Sequence, residues 1–178
     1  MKQINLKEYL SLPLSEQIMY ASLLTQQRPF EAIKIKINEL TYNEVKQCFK
    51  ELKKDNCNIE LIFTMSLKIT SDEYFSLPIQ KYFQLKKFID NFFISLYQRE
   101  IDLLNSINED AELWSIAGGD ELNEYADVLP ISQLAKIYGG YPFDLVNRNY
   151  IEIIYLLRMN NKQGQVENEF NKLKAKKK

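Results

Sequence analysis

The sequence predicts a mainly α fold, a helical bundle around one long central helix, with at most a small two-stranded β element. Three observations carry this. Gly and Pro number only five each in 178 residues, which leaves few turn signals and favours long helices over a turn-rich β fold. A run over residues 79–107 keeps apolar side chains at helical spacing. Alternation of the strand type is confined to two stretches, 33–37 and 59–69. Hydrophobic residues make up 46% of the chain, with 11 Tyr and 10 Phe. That is enough bulky apolar surface for a core and too much for a disordered chain.

From the N-terminus, LPLSEQIMYASLLT reads as a short helix with Ile18, Met19, Ser22 and Leu23 on one face. PFEAIKIKINEL is ambiguous. Ile33, Ile35 and Ile37 alternate with lysines as in a strand, while Pro29 and Glu31 suit a first helical turn. In TYNEVKQCFKELKK, Thr41 and Glu44 have the spacing of a capping box, and Val45, Cys48, Phe49 and Leu52 form the apolar stripe of a helix. NIELIFTMSLKIT alternates Ile59, Leu61, Phe63, Met65, Leu67 and Ile69 with the residues between. It is the best strand candidate.

A nine-residue phrase occurs twice, EYLSLPLSE from Glu8 and EYFSLPIQK from Glu73. In both copies Ser-Leu-Pro precedes an apolar-periodic run. Pro13 and Pro78 suit a first helical position, where the missing N–H costs nothing. Ser11 and Ser76 suit caps just upstream, and Tyr9 and Tyr74 are placed to fold back onto the new helix as a staple. The phrase therefore reads as a device for starting helices. The second copy opens the longest one, about 79–107, whose stripe is Tyr82, Leu85, Ile89, Phe92, Leu96, Leu103 and Ile107. Phe83, Phe88, Phe93, Ile94, Tyr97, Ile101 and Leu104 widen that surface, as expected for a helix packed on two sides.

Residues 1–108 thus form an N-terminal helical part with the long central helix. Residues 109–178 form a helical module jointed by Gly-Gly pairs, with a basic C-terminal tail. SIAGGDELNEY and KIYGGYPFDLV both carry Ile-X-Gly-Gly, and no glycine precedes Gly118. Glycine just past a helix end takes a positive φ without strain. The expected order is helix, Gly-Gly, helix, Gly-Gly, helix. No GxGxxG or GxxxxGK[ST] is present, so these glycines do not spell a phosphate loop. The last helix places Ile151, Ile154, Tyr155, Arg158 and Met159 on one face, with Ile153 and Leu157 beside it. Gly164 is placed to bend it or to end its buried part.

The net charge of −1 hides a strong asymmetry. Residues 100–135 carry nine acidic and no basic side chains, whereas residues 136–178 carry nine basic and four acidic ones. The acidic stretch is either a solvated face or a dock for a basic partner, including a neighbouring copy's tail. The terminal lysines read first as a solubilising tail and second as a nucleic-acid contact. Nucleic acid is not the expected partner, since no aromatics are interleaved with them.

The chain has no His, which removes the commonest general base and every His-containing triad. Cys48 and Cys57, nine apart and without His, make a poor metal site. No catalytic residue, metal or cofactor is assigned, and the chain is expected not to be an enzyme. The N-terminus lacks an apolar signal region, no apolar run approaches membrane-spanning length, and few cysteines suit a reducing compartment. Candidate protein-interaction residues are Trp114, Tyr141, Pro142, Phe143 and Tyr150. Trp114 is alternatively a core anchor, and the aromatic group at 141–150 alternatively closes a turn.

The C-terminal third resembles small helical morphogenesis proteins of tailed bacteriophages, of the tail-assembly-chaperone kind. The likeness runs over about residues 112–170. It consists of a helix ending in Gly118-Gly119, a linking helix, Gly139-Gly140, the Pro142-Phe143-Asp144-Leu145 element, then a Tyr- and Leu-rich helix with a polar tail. The resemblance implies a non-enzymatic protein that binds other virion proteins during particle or tail assembly. Its expected place is the host cytoplasm or, as a retained minor component, the virion. The third alternative is a nucleic-acid-binding accessory acting through the lysine tail.

Overall fold

A computed structural model describes residues 4–24, 39–104 and 111–176. Among them there is no strand, only two isolated bridges. The elements are α1 (Leu6–Leu10), α2 (Leu14–Leu24), α3 (Tyr42–Leu52), α4 (Ile59–Leu67), α5 (Ser71–Phe75), α6 (Ile79–Leu104), α7 (Ala111–Ile116), a 3-10 helix (Gly119–Tyr125), α8 (Leu129–Tyr138), α9 (Pro142–Leu145) and α10 (Tyr150–Lys176). The mainly α fold with one long central helix is what the structure shows. The chain divides into two compact units: residues 1–40 with 47–97, and residues 41–46 with 98–178. This division does not run at 108/109, because α3 and α6 each contribute residues to both units.

The strand expected over 59–69 is a helix. Asn58 caps it, its side chain accepting from the Leu61 N–H at 3.0 Å, and Lys68 ends it in the left-handed conformation at φ 55°. The alternation misled because Ile62 stands in its polar phase. Ile62, Phe63 and Ser66 are the buried positions, a helical and not a strand spacing. Ser66 Oγ donates back to the Ile62 carbonyl at 2.6 Å. Residues 33–37, the other half of the expected β element, lie outside the described residues.

In the first unit both copies of the repeated phrase take the same path. Asn5 and Thr70 cap five-residue helices, and Glu8 and Glu73 complete reciprocal capping boxes. The serines are therefore the C-caps of α1 and α5, at φ −85° with ψ −8° and −6°, and not N-caps of α2 and α6. Pro13 and Pro78 immediately precede α2 and α6, and their carbonyls accept the first helical bonds, from Gln17 at 3.0 Å and Tyr82 at 2.9 Å. Tyr9 and Tyr74 do fold onto the next helix. The Tyr9 hydroxyl donates to the Gln17 carbonyl at 3.0 Å, and the Tyr74 ring meets Tyr82 edge-on. The residues just ahead of the first copy join the second: Leu6 N–H donates to Leu77 O at 2.8 Å and Ile79 N–H to Ile4 O at 3.0 Å. Phe63, Leu85, Ile89 and Phe93 are fully buried in this unit. Phe88, Ile94, Tyr97 and Ile101 are exposed, so α6 does not bury the full width its sequence offers.

The second unit repeats the device. Thr41 and Glu44 form the expected capping box, at 2.9 and 3.2 Å. Thr41 bridges Asn149, as Asn5 bridges Pro78. In each unit a helix ends on a positive-φ residue (Lys68, Gly139), a short helix follows, and a long helix starts after the bridging residue (Pro78, Asn149). Both pairs stand 71 positions apart. Ile131, Leu134, Leu145, Ile153, Ile154 and Leu157 form the core here. Tyr150, Ile153, Ile154 and Leu157 are therefore the buried face of α10, and Ile151, Tyr155, Arg158 and Met159, expected on it, are exposed. The helix continues through Gly164, which lies beyond its last buried residue.

Candidate interaction surface

Trp114 belongs to α7, whose six residues end where Gly118 takes φ +83°. That left-handed conformation favours glycine, and it turns the chain into the 3-10 helix. Gly119 has no such φ; its role is space. It is buried, and a Cβ there would overlap the Trp114 indole. The ring thus occupies the space a side chain at 119 would need and stays 54% exposed, which is neither a core anchor nor a free side chain. Ser115 Oγ donates to the Asp120 carboxylate and ties α7 to the 3-10 turn. Glu112, Asp120, Glu121 and Glu124 are exposed around it.

The second Gly-Gly pair works differently. Gly139 and Gly140 both have positive φ, 77° and 108°. They end α8 and deliver Tyr141 as the N-cap of α9, with Pro142 in its first turn as expected. Leu145 is buried and pins that turn, and Asn147 Nδ2 donates to the Phe143 carbonyl at 3.1 Å. Tyr141 and Phe143 are 75% and 77% exposed. The turn is closed by Pro142 and Leu145, and the two aromatic side chains are left to solvent.

Tyr150 is not part of that surface. It is 3% exposed, stacked on Tyr42 with ring centroids 6.3 Å apart, and its hydroxyl donates to Glu100 Oε2 at 2.9 Å. Burial, reinforced by the Glu100 charge, pushes the phenols of Tyr150 and Tyr42 well above the ordinary tyrosine range. Lys46 donates to the other oxygen of Glu100 and lies 5.2 Å from the Tyr42 ring centroid. Sequence reading missed this buried cluster because Glu100 sits at the head of an acidic run and its partners are remote in the chain. It placed Trp114, Tyr141, Pro142 and Phe143 on one module, and they remain at its surface.

Among the described residues no group of three or more Cys, Asp and Glu is placed to hold a metal ion. No helix there is long and apolar enough to cross a membrane. Comparison with protein-family models, with curated proteins and with solved structures finds no match to this chain.

Proposed function

We propose that this chain is a protein-binding adaptor that acts in the assembly of a tailed-phage particle. Its contact with other virion proteins is made through the α8–α9 turn. The observation that carries the reading is the pair Tyr141 and Phe143. Both are three-quarters exposed, yet they are mounted on a turn stiffened by Pro142 and anchored by buried Leu145. Large aromatic side chains on a fixed turn lose little freedom on docking and supply much contact area. The setting is supported by the resemblance over residues 112–170, and the residues that carry it build this turn.

The test is quantitative mass spectrometry of purified particles and of infected-cell lysate, with cross-linking from the exposed Lys136 beside the turn. Cross-links to virion proteins in the lysate, lost in a Tyr141→Ala, Phe143→Ala variant of unchanged stability, are expected. A fixed copy number in particles would make the chain a retained component; absence from them would make it an assembly factor that leaves. Unchanged cross-links in the double variant would sink the site.

A further inference from the structure

The C-terminal half of α10 carries an apolar seam that its own chain leaves uncovered. Tyr155, Met159, Val166, Phe170 and Leu173 are all exposed, and no α10 residue beyond Leu157 is buried. They recur at threes, fours and one double step, the spacing of a helix seam made for a partner. A shallow groove of about 540 Å³ runs along it, lined by Tyr155, Arg158, Met159, Lys162 and Val166. The seam is net positive: Arg158 and Lys162 stand at one end and Lys172, Lys174 and Lys176 at the other, with Glu167, which also lines the groove, and Glu169 between them.

Two such seams make poor partners for each other. Over residues 155–176 each seam carries five basic and two acidic side chains, so either pairing brings two net-positive surfaces together. Like charges so placed oppose association. The same chain offers the complement. Over residues 111–128, Leu113, Trp114, Ile116 and Tyr125 are exposed apolar groups, surrounded by five acidic side chains and no basic one. Both surfaces are open in one copy, so neither covers the other within the chain.

We infer that the basic, apolar seam of α10 docks on the acidic, apolar 111–128 surface of a second copy, so that copies associate head to tail. The contact is heterologous: each copy has one donor and one acceptor, and addition continues until a ring closes or an open assembly forms. The inference needs neither Tyr141 nor Phe143 nor a virion partner.

The experiment is sedimentation velocity of the purified full chain over a concentration series. The average mass should rise from the 21.1 kDa monomer past that of a dimer. It should fall as NaCl goes from about 0.1 M to about 1 M and the Debye length shrinks from about 10 Å to about 3 Å. A donor variant (Val166→Asp, Phe170→Asp) and an acceptor variant (Leu113→Asp, Ile116→Asp) should each associate about tenfold more weakly or worse, since a carboxylate enters an apolar contact. Mixed, they should give a 1:1 dimer and nothing larger, because each retains the half the other lacks. If a variant loses its helical circular dichroism, Lys172→Glu with Lys174→Glu, mixed with Glu121→Lys and Glu124→Lys, tests the same pairing by charge exchange. A monomer at every concentration would overturn the inference, as would a dimer that mixing fails to restore or association indifferent to both variants. No virion protein enters the measurement, so such a result leaves the adaptor reading standing.

Discussion

Glu100 shows what one residue can hold in the second unit. Its carboxylate is buried, and both oxygens are engaged, by the Lys46 ammonium and the Tyr150 hydroxyl. A buried ion pair adds little over a well-packed apolar replacement, but removing one partner strands the other. Glu100→Ala should therefore destabilise the protein by about 3 kcal/mol. Tyr150→Phe, which removes a single hydrogen bond to a charged group, should cost about 2 kcal/mol. Urea denaturation of both variants checks the order; equal, small effects would show that Lys46 escapes to water at no cost. Gly119 illustrates the same scale from the side of space: its missing Cβ is what leaves room for the Trp114 ring.

At the level of elements, reciprocal capping boxes recur at Asn5/Glu8, Thr41/Glu44 and Thr70/Glu73. Each satisfies two amide donors that a helix start leaves open. Thr70→Ala should lower stability by about 1 kcal/mol, read as a shift in the urea midpoint. Thr41→Ser, which keeps the oxygen, should be close to neutral. The Thr41 box was legible in the sequence because Thr-X-X-Glu precedes a clear apolar stripe. The other two were obscured. The repeated phrase invites attention to its Ser-Leu-Pro half, and the cap stands one residue before α1 and α5 begin. Helix α4 was obscured for another reason. A short apolar run satisfies period two and period 3.6 almost equally, and the decision came from Asn58 at one end and Lys68 at the other.

For the molecule as a whole, pH reports on the cores. Burial raises the phenol pKa of Tyr9, Tyr74 and Tyr82 in the first unit and of Tyr42 and Tyr150 in the second. A folded-state pKa above the unfolded value of 10.0 means that the folded chain holds its proton more tightly. That stabilisation is complete below about pH 10 and is lost as the pH climbs above it toward the folded values. Stability should thus be level from neutral pH to about 10 and then fall steeply. Urea midpoints along an alkaline series, with phenolate absorbance as the second readout, check this. A phenolate signal that rises with no loss of stability would show that these rings ionise in place.

By itself the sequence determined the helical class, the long central helix, the two Gly-Gly joints and the uneven charge. All of these are written in local spacing and composition. Only the tertiary structure decided which face of α10 is buried and that Tyr150 belongs to the core while Tyr141 and Phe143 do not. It also decided that the second repeated phrase pairs with the residues just ahead of the first. The reason is physical. Spacing states that a helix has an apolar face, but contacts between residues tens of positions apart decide which part of that face is covered and which is left for another molecule.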